Sequence, residues 1–321
     1  MSDSPDLESW QQAATDAVDA IAARLGPRGQ WPGWAYADVD PAATGRLDIA
    51  APLTALGMLA LAEQPLAGVP EVLAASRRHL ELTVLAEGLW RYYANIPPDT
   101  DDSAMCALAL GPDHPAVVGR TAQALTGTRL PNGLYPTWFT PGLNPVIDPV
   151  PNAHVVAVLG PGPATDDAVA WLIEVVAAGT EVADSVYYLD ALDLHVALTR
   201  AVAAGVEALR PALAAASARA HARLLADGLS PYRTAQAIIV ASHAEEADAV
   251  LLADAADHLL ASRHATGLWP SDTLFVAGNT DAPGWWHYQS DAVTSALCAR
   301  ALVLASGAAG ANGPGWQSAT S

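Results

Sequence analysis

The stretch Ile96-Pro97-Pro98-Asp99-Thr100-Asp101-Asp102-Ser103-Ala104 puts three carboxylates within four residues. A proline pair that breaks helix precedes them, and an apolar run that reads as helix, Met105 to Leu110, follows. Like charges this close do not all ionise cheaply, so the cluster should hold one proton tightly. A carboxylic acid kept protonated near neutral pH is a proton donor. The alternative is an acidic N-cap, where Asp and Ser meet free N–H groups and the positive end of the helix dipole. For one Asp the cap would suffice; three of them after Pro-Pro favour the acid. His154, in Asp148-Pro149-Val150-Pro151-Asn152-Ala153-His154, opens a later apolar segment. It is the candidate to hydrogen-bond and orient a carboxylate of the cluster, with Asn152 as the neutral alternative.

These residues need elements to hold them. Apolar residues recur at helical spacing over Ala13–Leu25, Leu53–Leu61, Glu71–Leu85, Ala168–Ala178, Ala191–Ala220, Thr234–Ser242, Ala247–Ser262 and Ala292–Ser306. Few segments alternate with period two, so the pattern predicts an all-α protein. A Gly or Ser followed by an aromatic, a polar loop and then a helix recurs at Trp31, Trp90, Tyr135, Tyr187, Tyr232 and Trp269, with spacings of 59, 45, 52, 45 and 37 residues. Each interval holds one helical hairpin with its loop. Six hairpins form either an open solenoid or a closed α/α toroid.

The Asp-x-Asp-Asp-Ser-Ala pattern resembles the general-acid motif of class II terpene cyclases, the squalene-hopene cyclase superfamily. Gly29-Gln30-Trp31, Gly88-Leu89-Trp90, Gly133-Leu134-Tyr135, Gly228-Leu229-Ser230 and Gly267-Leu268-Trp269 resemble degenerate forms of that superfamily's Gly-x-Trp repeats. The resemblance spans roughly residues 25 to 305. It implies a single α/α6 toroid over residues 1–306, with the first dozen or so residues loose. It also implies an enzyme that protonates an isoprenoid-like alkene, cyclising or isomerising it, with Asp101, the middle acid, as donor. Asp99, Asp102 and His154 would hold and tune that acid. In a toroid the inner helices run the same way, so their starts converge at one mouth. Those starts carry Asp48, Asp101 and Asp102, Asn152 and His154, Asp190 and Asp193, Arg233 and Thr234, and Asp291. The substrate-binding candidates are Trp34, Tyr92, Tyr93, Trp138, Asn152, Tyr188, Arg233, Trp285, Trp286, His287 and Tyr288. Aromatic faces stabilise a cation without quenching it. Arg46, Arg91 and Arg233 are the bases nearest the expected mouth, suited to a diphosphate or carboxylate on the substrate. Two departures stand out: Ser103 replaces the usual Thr, and the chain is long enough for one toroid where class II cyclases use two. Its mouth is then closed by its own loops, by a second copy or other partner, or left open.

The net charge of −19, with no lysine at all, argues against nucleic acid and anionic membranes as partners. No apolar run reaches the eighteen or so residues of a membrane span, and the acidic start lacks a signal-peptide pattern, which predicts a cytoplasmic protein. Cys106 and Cys298 read as buried thiols. Proton transfer needs no cofactor; Mg2+ enters only if the substrate carries a diphosphate. The tail, residues 307–321, is rich in Gly, Ala and Ser and predicts disorder. Two rival functions remain: a hydrolase or lyase pairing Asp101 with a second carboxylate such as Asp148, and a non-catalytic binder of a prenyl or other apolar ligand.

Overall fold

A computed structural model describes residues 6–37, 45–62, 64–139, 145–226, 228–244, 246–278 and 285–311. Twelve α-helices account for most of them. Six are apolar nearly all round: α2 (Ala51–Leu61), α4 (Thr100–Leu110), α6 (Pro149–Leu159), α8 (Ala191–Ala203), α10 (Pro231–Ala241) and α12 (Asp291–Ala311). A helix apolar on every face must be covered on every face. These six pack as a closed ring, α2 on α4, α4 on α6, and so on until α12 returns to α2. The other six cover the outside: α1 (Leu7–Ala22), α3 (Val69–Thr83), α5 (Pro115–Thr128), α7 (Asp166–Ala178), α9 (Arg210–Leu224) and α11 (Ala249–Ala261). The expected toroid of six hairpins is present.

The repeated Gly-x-aromatic elements turn out to be its joints. Trp31, Trp90, Tyr135 and Trp269 are fully buried. Each satisfies its ring donor locally: Trp31 on Ser76 Oγ, Trp90 on the Leu80 carbonyl, Tyr135 on the Ala164 carbonyl and Trp269 on the Leu259 carbonyl. Each backbone N–H is taken by a side chain in the first turn or so of an inner helix. Trp31 bonds Thr54 (3.1 Å), Trp90 bonds Ser103 (3.1 Å), Tyr135 bonds Asn152 (2.9 Å) and Trp269 bonds Ser295 (2.9 Å). A buried N–H without a partner would cost about 1–3 kcal/mol, so these latches set the height of each inner helix. Tyr187 and Tyr232, the other two aromatics of the series, do not bond the inner helix that follows them in this way; the Tyr187 N–H goes instead to Asp148, the N-cap of α6.

Several boundaries differ from the sequence reading. α1 begins at Leu7, inside the stretch expected to be loose, because Trp10 is buried and donates to Asp257 (2.8 Å). Ala191–Ala220 is two helices, broken at Gly205, whose φ of +92° suits glycine. α12 runs to Ala311, so the tail is helical five residues beyond Ser306; residues 312–321 lie outside the described part. Its stretch Asp291–Gly310 is apolar enough to pass for a membrane span by length and composition, contrary to the sequence reading. It is an inner helix of the ring, 67% buried.

A small antiparallel sheet was not anticipated. Its order is β2 (Arg46–Asp48), β1 (Gly33–Ala37), β4 (Trp285–Gln289), β3 (Thr273–Gly278). The strands come from the connections before α2 and before α12, neighbours in the ring. One cross-strand row reads Arg46, Ala35, Tyr288, Phe275; the adjacent row carries Leu47, Trp34 and Gln289. Directly opposed residues share a face, and successive residues alternate faces.

Gly29 tests the joint. Its φ is +80°, and a Cβ there would lie 1.9 Å from the Ala75 carbonyl oxygen. Gly29→Ala should therefore lower unfolding free energy by more than about 2 kcal/mol in denaturant melts. Gly278→Ala, with open space around it, should change it far less.

Candidate active site

The acid cluster occupies the first turn of α4. Asp99 is its N-cap, accepting from the Asp102 N–H (2.7 Å). Thr100 is pinned to the next repeat: its N–H donates to the Thr137 carbonyl (2.7 Å) and its hydroxyl to the Pro136 carbonyl (2.6 Å). Ser103, the latch to Trp90, anchors the far end of the motif. Between these anchors, Asp101 turns toward a cavity of about 610 Å³ that Asp99 and Asp102 also line. That volume lies within the range of small-molecule sites.

Both oxygens of Asp101 are held. His154 Nδ1 lies 2.8 Å from Oδ1, and the Tyr188 hydroxyl contacts Oδ2. Arg200 on α8 donates from Nη1 to His154 Nε2 (3.1 Å). A guanidinium can only donate, so Nε2 accepts and the ring proton sits on Nδ1, which donates to Asp101. Burial pulls the Arg200 guanidinium down to about 10, with the nearby Arg300 charge adding to the effect. Arg200 was absent from the sequence candidates. It lies in the last turn of an apolar helix, where nothing local distinguishes it from a capping base.

Tyr92, Tyr93, Trp138, Tyr188, Trp286 and Tyr288 line the cavity. Trp34, Trp285 and His287 do not. On strands they alternate with Ala35, Trp286 and Tyr288, and so fall on the sheet's other face; Trp34 and Trp285 are solvent-exposed. Asn152 is also elsewhere, spent on both the N–H and the carbonyl of Tyr135 (2.9 Å each). Arg233 is buried in an ion pair with Asp193 (2.6 Å) and bonds Gln236. His154 sits behind Asp101, not in the cavity wall. Phe275, Val276 and Met105 are among the other residues of the wall; their types gave no signal beyond ordinary core. The sheet thus forms one side of the cavity, so the chain's own loops contribute to covering the mouth.

Asp148 does not pair with Asp101. Its carboxylate accepts from the N–H groups of Val150 (3.0 Å), Val186 (2.7 Å) and Tyr187 (3.1 Å) and from Ser185 Oγ (2.8 Å). It caps α6 and fastens the loop that carries Tyr188.

Burial, and then the charge on Asp101, raise Asp99 from the ordinary 3.8 to about 7. Asp102 is pushed well above the ordinary range by burial, then by the charges of Asp99 and Asp101, and its hydrogen bond to Asp99 adds to this. Burial first, and then the Asp101 charge, also push the Tyr188 phenol up, so it keeps its proton. Carboxyls raised on folding stabilise fully below about pH 4 and lose that contribution as pH rises through about 7. The melting temperature of the native chain should therefore fall over this window relative to Asp102→Asn, whose profile should be flatter. Each kcal/mol removed is worth roughly 2–4 °C. Parallel profiles in scanning calorimetry would contradict the assignment.

No family model and no curated protein matches the sequence. Solved structures do match the fold. A protein from Actinoplanes superposes with a TM-score of 0.74 at 18% identity, covering 92% of this chain and 99% of that one. The apo type II terpene cyclase MstE from Scytonema gives 0.70 at 18% identity, covering 95% of this chain and 100% of that one. Structures of MstE variants with geranylgeranyl dihydroxybenzoate or merosterolic acid A match equally well. The ent-copalyl diphosphate synthase from Streptomyces platensis gives 0.54 at 20% identity over 80% of this chain and 50% of that one. At such identities the likeness is one of architecture: the chain has the helical toroid fold of type II terpene cyclases.

Proposed function

We propose that the protein is a class II terpene cyclase-like enzyme that starts its reaction by protonating an isoprenoid alkene from Asp101. The observation that carries this reading is the setting of Asp101, an acid clamped at both oxygens and facing a cavity walled largely by aromatic rings. His154 donates to Oδ1, so the acidic proton sits on Oδ2, which also accepts from the Tyr188 hydroxyl. The alkene π electrons take that proton as a new C–H bond, and the positive charge appears on the neighbouring carbon. An internal alkene then attacks this carbon, forming a ring C–C bond. Loss of a proton or capture of water ends the sequence.

Protonating an alkene demands an acid whose conjugate base is well stabilised. After transfer, the Asp101 carboxylate keeps two donors, His154 Nδ1–H and the Tyr188 hydroxyl. Arg200 keeps the imidazole proton on the nitrogen that faces Asp101. Asp99 and Asp102 retain a proton between them near neutral pH, which limits the negative charge beside the donor. The rings of Tyr92, Phe275 and Tyr288, with centroids 5.0–5.7 Å apart, present π surface to the cation without a nucleophilic anion. The engagement of Asp148 elsewhere removes the pairing of Asp101 with Asp148 that a hydrolase reading would use.

Asp101→Asn keeps the size of the group and removes the transferable proton. Turnover on a prenylated alkene should fall roughly a hundredfold to ten-thousandfold, with ligand binding and melting temperature nearly unchanged. Asp102→Asn should cost less. His154→Ala should move the acid limb of the pH–rate profile. Unchanged turnover in Asp101→Asn would end the general-acid assignment, whereas binding of the prenylated alkene with no turnover by the native chain would favour the binding-protein reading.

A further inference from the structure

The row Arg46, Ala35, Tyr288, Phe275 crosses all four strands on the cavity face of the sheet. Three steps of about 4.8 Å put Arg46 roughly 14 Å from Phe275 along the sheet. Phe275 packs near Tyr188 (ring centroids 6.4 Å apart), and Tyr188 holds Asp101. The acid and Arg46 therefore mark the two ends of an aromatic wall. Ala35, the one small side chain in the row, is fully buried between them, so Arg46, Tyr288 and Phe275 are the members of the row that face the cavity.

Arg46 is the single cation among the described residues that line this cavity. Its guanidinium carbon lies 5.4 Å from the Tyr93 ring centroid and 5.2 Å from that of Trp286, and Nη2 donates to the Tyr93 hydroxyl (3.0 Å). Two rings thus hold the planar group from its sides. Among the described residues it has no carboxylate within ion-pair distance, although the chain carries 34 acidic residues against 15 arginines. Among the described residues only the Tyr93 hydroxyl takes a hydrogen bond from this exposed guanidinium, which has five donors. A guanidinium already held between two rings matches a carboxylate two-pronged, with little further ordering to be lost on binding. One cation suits one negative charge; a diphosphate calls for several.

Resting on the cyclase reading of the cavity, we infer that Arg46 binds the head group of the substrate. That substrate is a prenyl chain ending in a single carboxylate, its head at the rim and its far alkene at Asp101. The apolar wall between them takes the chain.

Titration of the full-length Asp101→Asn protein with geranylgeranoic acid, geranylgeraniol and geranylgeranyl diphosphate tests this. The acid should bind at least about tenfold more tightly than the alcohol. Adding Arg46→Gln should remove that preference and leave the alcohol unaffected. Arg46→Lys, which keeps the charge but not the fork, should retain only part of it. Equal affinities for acid and alcohol, or equal losses for both in Arg46→Gln, would overturn the head-group assignment and leave the cyclase reading standing. Preference for the diphosphate, lost in Arg46→Gln, would overturn the single-charge assignment. Failure of all three ligands to bind would remove the cyclase reading and this inference together.

Discussion

The hydrogen bond from the Trp90 amide to Ser103 is the constraint on which the site depends. It joins a buried aromatic, wedged under an outer helix, to the first turn of an inner one. The same bond recurs at Thr54, Asn152 and Ser295. Because each latch fixes where an inner helix starts, residues at those starts meet at one level, though dozens of positions apart in sequence. Asp101 stands two residues before its latch, and His154 two residues after the latch of the next inner helix. Their 2.8 Å contact follows from that shared register.

A helix N-terminus favours a charged carboxylate, whereas burial favours a neutral one. The first turn of α4 contains both effects. Asp99 accepts a backbone N–H, as a cap should, yet burial together with the neighbouring charge carries it to about 7. Desolvation therefore outweighs the dipole here. The proton that a lone acidic cap would shed is kept within the cluster, and the cavity walls supply the desolvation. Substitutions that open the cavity to water should thus act on the acids even without touching them.

Much of this was legible in the sequence. Helical periodicity and the spacing of Trp31, Trp90, Tyr135 and Trp269 indicated a series of helical hairpins, because each repeat must bury the same aromatic, and the resemblance to class II terpene cyclases implied their closure into a ring. The carboxylate cluster and its histidine were legible as unusual residue types at helix starts. The sheet was hidden: Gly33–Ala37 and Trp285–Gln289 are each only five residues long, too short for alternation to stand out from a polar loop. Missing the sheet meant missing its faces, so Trp34, Trp285 and His287 were grouped with Tyr288 although period two separates them. The structural role of Asn152 is hidden in the sequence because its latch partner, a backbone amide 17 residues away, leaves no mark there. Arg200 was invisible for the same reason: its role exists only through His154 on another helix.

The central claim is that solvent-derived hydrogen, passed through Asp101, starts the reaction. Turnover of a prenylated alkene in D2O, followed by mass spectrometry and NMR of the product, tests it most directly. The account predicts one deuterium at the carbon that was the terminal alkene position, and no labelled product from Asp101→Asn. A cyclised product without deuterium at that carbon, or equal labelling by Asp101→Asn, would contradict it.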